Sequence, residues 1–257
     1  MDIVIIVIVA MFASFMTFFS GFGLGTLLLP AFALVFPIHI AIAMTAIVHL
    51  LNNVFKSTLM KSHIDWKTVI AFGVPALIAA VIGASILNYL IEYNYDINYS
   101  ILSLEFNTTV IKLVIAGLIF VFALFDLVPK LIELEFSDRM LPVGGFLSGF
   151  FGGLSGHQGA LRSTFLIKAN LKKEVYIATG IIISLVVDIS RLVVYGLGEM
   201  MNDVNENYEL LLLAVLSAFI GAILGKKYLT KVTIKYIRLL IGLLLILISI
   251  ALALGIL

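Results

Sequence analysis

The sequence predicts an all-α polytopic membrane protein, built as two inverted repeats that each join a broken, re-entrant helical hairpin to three transmembrane helices. Three observations carry this expectation. Of the 257 residues, 62% are hydrophobic and 12% charged, and the mean hydropathy is +1.20, well outside the composition of water-soluble domains. The apolar residues gather in runs of about twenty, the length of a membrane-crossing helix, where a transmembrane β-barrel would show alternating segments of about ten. Finally, SGFGLG (20–25) in the first half resembles SGFFGG (148–153) in the second.

The first repeat spans 1–130. Its opening run, 3–36, is too long for one crossing and is interrupted at SGFGLG, so it reads as a hairpin entering from outside; the runs 38–60, 68–91 and 108–129 each cross once. The first nineteen residues lack a basic leader and a small-residue cleavage site, and are read as part of the mature fold. The second repeat spans 138–257, with a hairpin at 141–167 and crossings at 175–197, 209–225 and 237–257.

Loop charge sets the topology. Lys56, Lys61 and Lys67, then Lys168, Lys172 and Lys173, then Lys226, Lys227, Lys231, Lys235 and Arg238 mark cytoplasmic segments, whereas Glu92, Asp96 and Glu105, and Glu199, Asp203, Glu206 and Glu209, mark external ones. Counting crossings leaves both ends of 141–167 on the cytoplasmic side. Two full crossings would need helices of about fourteen residues, too short for a core of about 30 Å at 1.5 Å per residue. A re-entrant hairpin bent at GGLSGHQGALRS (152–163) satisfies the count. Irregular backbone at that depth belongs where protein buries it or where it lines a wet cavity. Three crossings per half then invert one half relative to the other and leave both termini external, the plan of many secondary transporters, in which half-helix N-termini face a substrate anion.

The polar residues inside the apolar runs are the candidate site. Thr45, His49, Asn52, Asn53 and Lys56 recur at spacings of three and four and share one helix face. The structural alternative is hydrogen bonding between helices by Thr and Asn, with Lys56 snorkelling to the cytoplasmic surface. Ser184, Asp188, Arg191 and Tyr195 form the matching stripe, with Asn53xxLys56 answering Asp188xxArg191; Asp188 and Arg191 are close enough to pair, as a functional group or as a lock between helices. Inversion puts Lys56 toward the cytoplasm and Arg191 toward the outside, at opposite gates. In the Gly-rich bend, Gly152, Gly153, Gly156 and Gly159 permit close backbone approach, while His157, Gln158 and Arg162 present donors, the guanidinium holding an oxyanion through two parallel hydrogen bonds. The expected anion site therefore combines Gly23, Gly25 and Thr26 of the first hairpin, His49, Asn52, Asn53 and Lys56, His157, Gln158, Gly159 and Arg162 of the second hairpin, and Arg191. A coupling proton is an expected partner, with His49, His157 and Asp188 as its candidate sites. Cysteine is absent, which excludes disulfides, thiolate catalysis and cysteine-ligated metal; no cofactor, no metal and no nucleic acid is expected. Asp126 beside Pro129 reads as interfacial, His39 and His63 as loop or helix-end residues, and Trp66 as an interface anchor.

SGFFGGLSGHQGALRSTFL from Ser148, SGFGLGTLLLPAF from Ser20 and TAIVHLLNNVFK from Thr45 resemble the TauE/SafE family of sulfite and organosulfonate exporters, over nearly the whole chain. The resemblance implies a bacterial or archaeal inner-membrane permease of two homologous halves that moves sulfite, sulfoacetate or related small anions. Two other readings stand beside it. An anion channel would also use re-entrant loops. A rhomboid-like serine protease is suggested by Gly153-Leu154-Ser155-Gly156 and His49xxxAsn53, but none of the four histidines lies beyond His157 to serve Ser155 from a later helix.

Overall fold

The structure, a computed structural model, describes residues 2–20, 24–60, 64–101, 104–128, 136–166, 171–196, 204, 206–228 and 234–257. In the first half α1 (Asp2–Ser20) packs on α2 (Leu24–Ala33), followed by α3 (Ile38–Leu59), α4 (Trp66–Glu92), a β-hairpin of β1 (Asp96–Ile101) and β2 (Leu104–Thr109), and α5 (Val110–Leu127). In the second half α6 (Leu141–Ser155) and α7 (Gly159–Leu166) precede α8 (Lys173–Gly196), α9 (Tyr208–Tyr228) and α10 (Ile234–Ala253). Local chemistry sets several of these limits. Extended Pro37 precedes α3, Thr68 donates back to Asp65 at the start of α4, and the Thr109 hydroxyl accepts from Lys112 N to cap α5. Gly156 ends α6 with φ +81°, a left-handed position that a side chain rarely adopts.

Among the described residues, α3, α4, α8 and α9 are long and apolar enough to cross a bilayer, and the apolar parts of α1, α2, α5 and α10 are shorter. On α4 the exposed Ile70, Val74, Leu77, Ile78 and Val81 form an apolar outer face, which in water would be a liability and in lipid is the solvent-matched surface. Trp66, 59% exposed, sits at the mouth of α4, where an interface anchor belongs.

What draws the helices together is small residues. Gly145, Gly149 and Gly153 of α6 repeat every fourth residue and lie against the backbone carbonyls of Phe72, Ala76 and Ala80 of α4, which repeat at the same interval. A Cβ on any of these glycines would run into the facing carbonyl. In lipid, where no hydrophobic force separates helix from tail, such close backbone contact is the main source of association. The same packing recurs across the molecule. Buried Ala76, Ala80, Gly83 and Ala84 of α4 have the spacing of buried Ala214, Ala218, Gly221 and Ala222 of α9; Gly83 backs onto the Phe150 carbonyl of α6, and Gly221 onto the Met11 carbonyl of α1. Thus α4 packs on α6 and α9 on α1, α4 on α8 and α9 on α3, while α3 meets α8 and α5 meets α10. Every one of these contacts joins the two halves of the chain.

One expectation needs correction. The sequence places the fourth crossing at 108–129, but residues 108 and 109 close a β-strand and the helix starts at Val110. The acidic segment before it is a hairpin in which Tyr99 stands opposite Phe106 and the two rings stack. Alternation of Ile97, Tyr99 and Ile101 with Asp96, Asn98 and Ser100 is the period-two signal behind it. The hairpin grips the end of α10, with Tyr99 Oη donating to Ala253 O (2.9 Å) and Thr108 Oγ1 to Leu252 O (3.3 Å). The two hairpins break alike: α1 ends at Ser20 and α2 begins at Leu24, as α6 ends at Ser155 and α7 begins at Gly159.

Gly149→Val is expected to lower the melting temperature in detergent by the cost of a severe overpacking, about 1–3 kcal/mol or more. Gly117→Val, where a Cβ meets nothing within 4 Å, serves as the control and should leave the melting temperature nearly unchanged.

Candidate functional site

The two polar stripes face each other. His49 and Asn53 on α3 and Asp188 on α8 meet where the α6–α7 bend inserts, and all are buried. Asp188, with no exposed surface, accepts from four side chains: His49 Nδ1 at 2.6 Å and Asn53 Nδ2 at 3.3 Å on Oδ2, Gln158 Nε2 at 3.0 Å and Arg191 Nη2 at 2.8 Å on Oδ1. A contact of 2.6 Å to a carboxylate oxygen places the proton on His49 Nδ1. Asn53 Nδ2, 3.1 Å from that same nitrogen, therefore spends its hydrogen on Asp188.

Arg191 is spent inside this network. Its guanidinium pairs with Asp188, reaches Gly152 O at 3.5 Å and crowds Gly156, where a Cβ would stand 2.8 Å from Nη1. Tyr195, a turn further, donates to Gly153 O at 2.5 Å. The pair ties α8 to the α6–α7 bend, and Arg191 is not among the residues that line the pocket beside His49.

A pocket does open on the other side of His49. Lys56, His49 and Asn53 of α3, Arg162 of α7, and Tyr176 and Ser184 of α8 line it, with Thr17, Ile177, Gly180 and Ile181. It contains two cationic side chains and no carboxylate. Arg162 is held by Ser184 Oγ and by Gln158 Oε1 (3.4 Å), and Ser184 in turn donates to Gly180 O. Lys56 is 2% exposed and turns inward, so it does not snorkel. Asn52 positions it: with its amide oxygen toward Lys56 it accepts from Nζ at 3.1 Å, donates to Ala218 O at 3.2 Å, and shares a hydrogen bond with Ser14. The inward turn places the charge in the cavity instead of at the surface.

The remaining expected residues divide. Gly25 brings the first hairpin against the second, since a Cβ there would lie 3.2 Å from Gly156 O and 3.9 Å from the His49 ring, and Thr26 beside it is buried. Gly23 lies outside the described residues, as do His63 and Pro129. Gly159 opens α7 and so aims Arg162 one turn on. Gln158 is buried but touches Asp188 and Arg162, not the pocket. His157 stands apart, stacked on Phe122 of α5 with ring centroids 5.3 Å apart, its Nδ1 3.1 Å from Ser155 Oγ and its Nε2 without a hydrogen-bond partner. Sequence reasoning had put Ser184 on the right face without assigning it to the site, and had passed over Tyr176. The four-residue series Tyr176, Gly180, Ser184, Asp188 was the available signal.

The family model described as Sulfite exporter TauE/SafE matches residues 6–252. The chain belongs to the TauE/SafE family. Comparisons with curated proteins and with solved structures give no match. TauE/SafE proteins are membrane transporters and not enzymes, and the protease-like motifs are used otherwise: Ser155 Oγ donates to Phe151 O at 3.1 Å, and His49 is engaged by Asp188. In this TauE/SafE chain Arg162 of the second hairpin lines the pocket beside His49.

Asp188→Leu leaves Arg191 buried and unanswered, and is expected to cost about 3–5 kcal/mol of stability. Adding Arg191→Leu should recover much of that loss in thermal denaturation, because the double variant buries no orphan charge.

Proposed function

We propose that this TauE/SafE protein is a secondary transporter of small sulfur-containing anions, sulfite, sulfoacetate or another organosulfonate, and that the anion binds between Lys56 and Arg162 near the two hairpin tips. One observation carries the reading: the pocket gathers two cations with no carboxylate on its walls, while Asp188, the nearest buried acid, is turned away and answered by Arg191. Arg162 supplies a planar pair of donors suited to a sulfonate or sulfite oxygen edge, Lys56 a point charge, and Asn53 and Ser184 further hydrogen bonds. Sulfur as the substrate's element follows from the family alone.

Alternating access is the mechanism this reading takes. Beyond His49 the path is blocked by Asp188, Arg191 and Tyr195, each wholly buried, so the pocket opens toward one side, as a carrier requires and an open channel does not. By the charge rule that side, at the Lys56 and Tyr176 ends of α3 and α8, is the cytoplasm of a cell inner membrane, with both termini external. The exchange of packing between halves, α4 on α6 against α9 on α1, supports two inverted repeats of about 1–130 and 138–257, which rock about the α3–α8 contact to move the opening. Proton coupling is assigned to the His49–Asp188 pair, because His49 both lines the pocket and bonds Asp188, whereas His157 does neither.

In proteoliposomes, Arg162→Ala is expected to weaken sulfite or sulfoacetate uptake roughly ten- to a hundredfold, the range of a lost charge-assisted hydrogen bond, with Lys56→Gln showing a similar loss. Uptake by Arg162→Ala at the unmodified rate would remove the proposed pocket.

A further inference from the structure

We propose that Gln158 is a positioning residue that transmits the protonation state of Asp188 to Arg162, so that the anion and a proton are taken up together. The inference rests on the anion pocket proposed above and adds how that pocket senses the proton.

The backbone of Gln158 is fixed. Its carbonyl accepts from Ser148 Oγ at 2.8 Å, its N–H donates to Gly156 O at 3.0 Å, and the bare face of Gly152 receives its side chain, since a Cβ there would lie 2.9 Å from Gln158 Cβ. The side chain is 1% exposed. What remains free to turn is the terminal amide, and it lies between two charges of opposite sign. Nε2 donates to Asp188 Oδ1 and Oε1 accepts from Arg162 Nη1. An ionised carboxylate can only accept and a guanidinium can only donate, so this is the one orientation that satisfies both neighbours.

Protonation of Asp188 at Oδ1 reverses the demand. Oδ2 continues to accept from His49 and Asn53, while the new O–H at Oδ1 becomes a donor facing the amide. Turning the amide over lets Oε1 accept from Asp188 and leaves Nε2 facing Arg162, donor against donor. Arg162 Nη1 then loses Gln158 as an acceptor, keeps Ser184 Oγ, and offers the released hydrogen-bond capacity to the anion in the pocket. One proton arrives on Oδ1 and no other covalent bond changes; only hydrogen bonds are exchanged, so the proton enters with the anion. The charged and titratable groups around the switch are His49 and Lys56 on α3, His157 in the bend, Arg162 on α7, and Tyr176, Arg191 and Tyr195 on α8. α6 brings the Gly152 and Gly153 carbonyls and the Ser148 hydroxyl, none of them ionisable, and the buried face of α4 carries no ionisable side chain. Affinity and protonation are linked reciprocally: if the protonated state binds the anion better, affinity must rise as pH falls.

The test is calorimetric titration of the full chain in detergent with sulfoacetate, whose two acid groups keep their charge between pH ~6 and ~9. The wild-type protein should bind more tightly toward low pH, by up to about tenfold per pH unit, the limit for one proton taken up with the anion. Gln158→Leu should bind with a flat pH profile, because Arg162 no longer reports on Asp188. Asp188→Asn combined with Arg191→Leu, which removes the guanidinium that an amide nitrogen at the Oδ1 position would leave unanswered, offers Gln158 a permanent donor and should bind with a flat profile at the acid-side affinity, which covers the case in which the leucine variant fails to fold. A Gln158→Leu profile as steep as wild type, or a wild type that binds with no pH dependence, overturns the inference while leaving the pocket in place. Failure of the wild type to bind at any pH defeats the pocket and the inference together.

Discussion

A carboxylate removed from water must have its charge and its lone pairs answered by protein, and Asp188 makes that demand at the centre of this molecule. Four donors from two helices and the bend of the second hairpin converge on it. Each of the four has its own position fixed in consequence. Arg191 is drawn onto the carbonyl of Gly152, Gln158 is pinned between two charges, and His49 presents its ring to the pocket. Beside this network, Lys56 and Arg162 bring the positive charge of the adjoining pocket.

The demand can be met only because backbones come close. Glycines at 145, 149 and 153 let α6 lie against α4 with no side chain between them, and this holds the bend at the depth of Asp188. A bulkier helix face would displace the bend by the width of a side chain, and hydrogen bonds of 3 Å do not survive such a displacement. Packing and site chemistry are therefore one constraint: small residues set the distance and the ionic network uses it.

Much of this was legible in the sequence. Spacings of three and four found the stripes at Thr45–Lys56 and Ser184–Tyr195, and charge parity with glycine found the bend within 152–163, which the structure puts at Gly156. The direction of Lys56 was not legible, because a lysine near a helix end snorkels unless a partner such as Asn52 turns it inward, and Asn52 shows that role only once α1 and α9 are in place. Nor was the division between Arg162 and Arg191. Both looked like anion ligands, and the difference is that Arg191 lies one turn from Asp188 on the same helix, whereas Arg162 reaches that acid only through Gln158. The β-hairpin before α5 escaped notice because a search for apolar runs of twenty passes over a six-residue alternation.

The contacts between halves bear on how the chain reaches this state. α1 enters the membrane first, yet the face it buries is completed by Gly221 of α9, which is made near the end of synthesis. α4 likewise waits for α6, and α5 for α10. Long-range contacts of this kind delay folding until most of the chain is present. The early helices must therefore stand in lipid with their small-residue faces unfilled, and the molecule closes only when its second half arrives to serve as the template for the first.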